Sequence, residues 1–279
     1  MTYVVRLQRV NAWYIKPVVR VIETAIGRFA QTLITTGGSR TPIMSNVTID
    51  YHGLSAFSVD ATQTVLVDPW LEPNWIAAEP TNFEGTDYIL VTHGAHDHLG
   101  STAEIAIGTD ATVITEPAVA DHLSDHGVPQ DQLQTMVWGN AFADGEMIIR
   151  ALETRHISYF EGTDGPVSGT PLSFLLEFGE QSLYYLGDTA IFRDLELFGE
   201  LYSPNTALVP VGSAPGALAP LPPEEAALAT EWLGVKKVVP VHYVPGSDAP
   251  ERFSDAVAER GLAVTVETLK PGDQLTLDG

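Results

Sequence analysis

The chain has 279 residues and 44% hydrophobic content, enough to bury a sizeable core and too apolar for a disordered chain. Asp and Glu number 36 against 14 Lys and Arg, and the net charge of −22 disfavours nucleic acid and anionic membranes as partners. Cysteine is absent, so disulfides, thiolate ligands and cysteine nucleophiles are excluded, and any metal must rest on His and carboxylates.

Residues 1–43 stand apart. They carry Arg6, Arg9, Lys16, Arg20, Arg28 and Arg40 against one acid, Glu23, a net +5 that leaves −27 for the rest. Within them "IKPVVRVIETAIGRFAQTLI" has helical spacing and a basic face, as an amphipathic surface anchor would. The abrupt change of charge bias favours a basic extension ahead of a natural start at Met44. The segment lacks the order of a signal peptide, and no run of eighteen apolar residues could span a membrane, so a cytoplasmic location is expected. From Met44 on, acids are spread evenly, as on a halophilic, acidic surface; unfolding on dialysis into dilute buffer would be its sign.

Alternating apolar residues in "NVTIDYHG" and "FSVDATQTVLVDPW" predict strands around a turn. "TDYILVTH" predicts a buried strand, and "STAEIAIG" a short helix opened by Ser101. A strand over "ATVITE" leads to a helix over "PAVADHLSDHG", with Pro117 at its start and Gly127 past its end. "EMIIRALETRH", "TPLSFLLEFG" and "QSLYYLGD" are strands, the last two joined at "GEQ". A helix over "AIFRDLELFGELY", the strand "TALVPVG", the helix "PPEEAALATEWLG" and the strand "KKVVPVH" follow. The chain closes with the helix "PERFSDAVAERG" and strands "AVTVET" and "QLTLDG". Two halves that each begin in strands and end in strand–helix units predict two packed sheets with helices outside.

His93, His96, Asp97 and His98 follow one apolar strand, His156 follows another, Asp188 follows "LYYLG" and His242 follows "VVPV". Ligands on the ends of several strands converge once the sheets pack, which is what a hydrolytic metal requires. His122 and His126 read as a solvated helix face, His52 as a core or supporting histidine, and Asp68 as a turn cap within reach of a ligand histidine. No G-x-S-x-G, Walker loop or dinucleotide glycine pattern is present.

The motifs "THGAHDHLG", "RHIS", "GDTA" and "PVHY", with "YHGLSAF" and "VLVDPWLEPN" before them, resemble the metallo-β-lactamase superfamily in its small metal-dependent hydrolase branch, with ascorbate-6-phosphate lactonase as a relative. The resemblance runs from Met44 to the C-terminus and implies an αββα sandwich, an α+β fold of two mixed sheets, with the metal centre at one edge. It implies one metal on His93 and His156, a second on Asp97, His98 and His242, and Asp188 bridging. The branch's H-x-H-x-D-H pattern requires a histidine at position 95, where this chain has Ala95, and its Gly-His-Ser is here Gly53-Leu54-Ser55. Ala95 offers no donor, and a one-residue shift points His96 elsewhere, so His96 is expected to line the pocket or support a ligand rather than bind.

These features predict a hydrolase whose divalent ion, zinc before manganese or iron, activates water against a small ester, lactone, phosphodiester or amide. Asp97 is the expected catalytic proton acceptor. "GSAPGALAP" and "SYFEGTDGPVSG" are expected to flank the substrate, with Tyr159 and Phe160 as an apolar wall. The rivals are a metal-binding protein with a degenerate first site, and a di-iron redox enzyme, which needs the complete ligand set that Ala95 breaks. Bond cleaved, metal count and oligomeric state stay open.

Overall fold

The computed structural model describes residues 46–71, 83–212 and 221–277. The basic segment before Met44, its boundary, and most of the "GSAPGALAP" loop lie outside the described residues.

Two kinds of apolar pattern build each sheet. Where apolar residues alternate, one side chain in two enters the core. In β1 (Val47–Gly53), Val47, Ile49 and Tyr51 do so. β2 (Ala56–Asp60) and β3 (Thr64–Val67) add to β1 antiparallel, and β16 (Gln274–Leu277) flanks its other side. Unbroken apolar runs give strands covered on both faces, the mark of parallel pairing. β4 (Tyr88–Leu90) and β5 (Thr112–Thr115) extend the sheet that way, and the polar β6 (Leu133–Thr135) adds to β5 in parallel.

The second sheet repeats the plan. β7 (Ala141–Asp144), β8 (Met147–Glu153), β11 (Leu172–Phe178) and β12 (Gln181–Tyr185) are antiparallel. β13 (Thr206–Pro210), β14 (Lys237–Val241) and β15 (Thr265–Val266) continue from β12 in parallel. The orders are β16-β1-β2-β3-β4-β5-β6 and β15-β14-β13-β12-β11-β8-β7. A hairpin of β9 (Ser158–Gly162) and β10 (Gly165–Gly169) stands apart from both sheets.

Three buried clusters define four layers. Ile49, Phe57, Phe174, Tyr185 and Val239 fill the space between the sheets. Ile89, Val113, Ile105, Val119 and Leu123 join the first sheet to α2 (Thr102–Thr109) and α3 (Pro117–Asp125), which follow a single turn, α1 (His96–Leu99). Tyr184, Val238, Leu195, Leu233 and Phe253 join the second sheet to α4 (Asp194–Tyr202), α5 (Pro223–Leu233) and α6 (Ala249–Glu259). The result is the expected αββα sandwich.

Some local expectations shift. α4 begins at Asp194 rather than Ala190, because the Ala190 N–H is drawn across to the Arg155 carbonyl at 2.9 Å. Strands β6 and β7 are short and polar, with no apolar pattern to announce them. The segment expected as an apolar wall is the β9–β10 hairpin, and its two aromatics part company. Tyr159 is 56% exposed, whereas Phe160 is buried over Gly94 and beside His122, so Phe160 is a packing residue.

Candidate metal centre

Strand ends at one edge of the sandwich carry several polar groups. Asp68 follows β3, His93 follows β4, Asp188 follows β12 and His242 follows β14; His156 comes from the loop after β8. His93, His156 and Asp188 each offer a ligand atom within 4.8 Å of the others, and so do Asp97, His98 and His242. Asp188 also reaches the second group, with Oδ1 3.3 Å from His242 Nε2 and Oδ2 3.5 Å from His98 Nε2. Its distance to His156 Nε2 is 3.8 Å.

Asp68 sets the direction of His98. Fully buried, it accepts the Thr92 N–H and hydroxyl at 2.8 Å each, the Tyr185 hydroxyl at 2.8 Å and His98 Nδ1–H at 2.7 Å. His242 Nδ1–H donates to the Gly212 carbonyl at 3.0 Å. With both Nδ1 atoms engaged, the two Nε2 atoms face each other at 3.2 Å. Two lone pairs at that distance require a proton or a cation between them. Thr92 Oγ1, 3.0 Å from His93 Nδ1, turns the His93 Nε2 inward in the same way.

Backbone strain gathers here. Of the five non-glycine residues with positive φ among the described residues, Leu54 (48°), Asp68 (42°) and His242 (58°) are at this edge. The twist at Leu54 presents its carbonyl to both the Tyr51 hydroxyl (3.0 Å) and the His242 N–H (2.9 Å). The loop bearing His156 is tied to the one bearing Asp188, through Thr154 Oγ1 to the Asp188 carbonyl (2.8 Å) and the Arg155 N–H to Thr189 Oγ1 (2.9 Å).

Electrostatics divide the histidines. Burial opposes charge on His98, but the Asp188 and Asp68 carboxylates outweigh it and hold its pKa well above the usual imidazole value. His242 is raised, with Asp188 and Asp97 overcoming its burial. Burial, with His98 beside it, pushes His93 well below; burial also lowers His156. Burial alone would raise Asp97 and Asp188, yet the facing His242 and His98 pull both below the usual carboxylate range.

Three buried atoms in the cluster have no hydrogen-bond partner: His93 Nε2, Asp97 Oδ2 and Asp188 Oδ1. Leaving such groups unmet costs about 1–3 kcal/mol each, more where charged. Imidazoles that give up their protons to an entering ion, with ionised carboxylates aimed inward beside them, are the donor set a divalent ion takes, so the residues fit the ion the sequence implied.

A family model described as "Beta-lactamase superfamily domain" matches residues 63–243. The chain belongs to the metallo-β-lactamase superfamily. Within it, a UPF0173 metal-dependent hydrolase from Pyrococcus horikoshii is 34% identical over 237 residues, 83% of this chain and 100% of that one. A metallo hydrolase from Ignicoccus hospitalis superposes with a TM-score of 0.69 at 27% identity, covering 84% of this chain and all of that one. A di-iron β-hydroxylase from Streptomyces venezuelae, at 16% identity and a TM-score of 0.60 over 92% of this chain and 59% of that one, shares the fold alone. These likenesses place the chain among the superfamily's small metal-dependent hydrolases.

His96 lies outside both groups. Its side chain is 78% exposed on α1, edge-on to the Trp70 ring at 6.0 Å and 3.8 Å from Asp97 Oδ1. It does not replace the donor missing at Ala95. His52 hydrogen-bonds Ser58 at 2.7 Å in the outer face of the first sheet, and His122 stacks at 4.1 Å on His126. Neither joins the centre. Sequence reasoning missed Thr92 and Tyr185. Thr92 precedes the ligand run and would be signalled only by that position; Tyr185 lies 117 residues from Asp68 and carries no local signal.

Proposed function

We propose that residues 44–279 form a small-molecule hydrolase domain in which Asp97, His98 and His242 hold one divalent ion, His93 and His156 hold a second, and Asp188 serves both. The reading is supported by the buried atoms His93 Nε2, Asp97 Oδ2 and Asp188 Oδ1, which make no hydrogen bond within these two groups. Imidazole and carboxylate donors favour zinc over manganese and iron.

The ion supplies Lewis acidity, lowering the pKa of a water toward ~7 and polarising the scissile carbonyl or phosphoryl oxygen. The protein's residues do the remainder. Asp68 and the Gly212 carbonyl hold the His98 and His242 rings in one tautomer, which keeps the inner nitrogens free. Asp97, kept ionised by His242 and His98, accepts the proton of the attacking water. Tyr159, exposed three residues after His156, lines the approach of an ester, lactone, phosphodiester or amide.

A second reading, a metal-binding protein with little hydrolytic activity, is favoured by Ala95 and the outward His96. The test is metal content per chain after purification in high salt without added metal, by elemental mass spectrometry. Near two equivalents supports the binuclear hydrolase, and near one confines the chemistry to Asp97, His98, Asp188 and His242. Near zero, unchanged after incubation with zinc or manganese, overturns the reading. Large activity gained by Ala95→His would mark the natural site as degenerate.

A further inference from the structure

One buried carboxylate near this edge takes no part in the hydrolytic scheme. Glu116, 1% exposed, directly follows the end of β5. Its Oε1 accepts the Ser158 hydroxyl at 2.7 Å, and its Oε2 accepts the Ala118 N–H at 3.0 Å, capping α3. Ser158 Oγ in turn accepts the Gly94 N–H at 3.0 Å. Three pieces of chain are thereby joined: the loop one residue past His93, the hairpin strand two residues past His156, and the start of α3.

Two glycines are shaped around this junction. Gly169 pairs with Ser158 across the hairpin, and a Cβ there would overlap the Glu116 carboxylate. A Cβ on Gly94 would overlap the Phe160 ring, which seals the hairpin onto the ligand loop. A helix cap alone needs neither fit, since Ser, Thr, Asp or Asn satisfies the first-turn N–H groups at a surface. Burying a carboxylate is costly unless its oxygens are met, and here the second oxygen is met by the group that holds Gly94.

We propose that Glu116 is a positioning residue for the His93/His156 ligand pair. Through Ser158 it sets the spacing between the loop that carries His93 and the strand that follows His156. The effect is largest on this pair, whose members stand one and two residues from the Gly94–Ser158 bond. Asp68 holds His98, and the Gly212 and Leu54 carbonyls hold His242. The dependence is strong because this set lacks a donor at position 95, so no further protein ligand compensates a displaced ring.

The inference rests on the metallohydrolase reading, and the experiment separates the two. Metal-free full-length protein is titrated with zinc by calorimetry, alongside thermal melting of the same metal-free samples. Wild type is expected to show a tight and a weak binding event. Ser158→Ala and Gly169→Ala are expected to weaken the weak event at least tenfold and to leave the tight event within twofold. Glu116→Gln, which turns one acceptor oxygen into a donor, gives the same pattern, and Ser158→Thr, which keeps the hydroxyl, restores the weak event. An unchanged weak event in folded Ser158→Ala and Gly169→Ala overturns the proposal. Equal weakening of both events also overturns it, because general loosening of the fold produces that result. A single event in wild type overturns it while leaving a one-ion hydrolase intact. No zinc binding by wild type overturns the metallohydrolase reading itself.

Discussion

The two candidate ligand groups share Asp188 and one edge of the sandwich, yet they are supported differently. Asp97, His98 and His242 are all at least 97% buried, and the two rings are fixed by Asp68 and the Gly212 carbonyl. In the other group His93 is buried but shares its motif with Ala95, which has no donor, and the His156 side chain is 13% exposed. A metal site is as good as the orientation of its ligands. Loss of one histidine from the shared 93–98 run therefore weakens the half that would have used it more than the half whose rings Asp68 and the Gly212 carbonyl hold.

The largest test of that contrast is Asp188→Ala. It removes the carboxylate within reach of both groups and is expected to lower hydrolytic activity roughly a thousandfold. Elemental analysis should show loss from both positions, and a full equivalent retained would break the idea that the halves share it. Asp68→Asn is the next largest. Without the ionised acceptor for His98 Nδ1–H, zinc affinity of the Asp97/His98/His242 group should fall about 10–100-fold. The His93/His156 position, which Asp68 reaches only through Thr92, should fall less, as read by zinc titration.

A change of pH sharpens the comparison further. In metal-free protein His98 is held well above the usual imidazole value, so an ion entering that group must displace a proton. His93 and His156 are lowered, so an ion entering theirs displaces none at neutral pH. His242 is raised as well, so as pH falls the affinity of the first group should drop by at least about tenfold per unit while the second stays flat above pH ~6.5. Equal slopes would erase the distinction.

The smallest effect on metal is expected from His52→Gln, which should leave both affinities unchanged. Burial lowers His52 to about 4, so the unfolded chain takes up a proton that the folded ring refuses. Wild-type stability should thus decline as pH falls from about 6.5 toward 4. The variant should lack that part of the decline in melting experiments.

Much of this was legible in the chain. Strand alternation at Val47, Ile49 and Tyr51, and apolar runs such as "VVPV", announced the strands of two packed sheets; which of them pair in parallel appears only in the fold. The candidate ligands that the fold brings together were legible because they stand past the ends of strands. The polar strands β6 and β7 escaped because they bury too little to leave a pattern. The Phe160 expectation failed because neighbouring residues on β9 face opposite ways, and only the packing against Gly94 says which face is inside.

By itself the sequence determined which residues stand at strand ends, that no thiolate is available, and that position 95 carries no donor. These are facts of composition and of order along one chain. Only the tertiary structure decided that Asp68 meets His98, that Tyr185 meets Asp68 from 117 residues away, and that Glu116 reaches Gly94 through Ser158. Such bonds join residues far apart in sequence, and their partners become neighbours only when two sheets pack and the strand ends are brought to one edge.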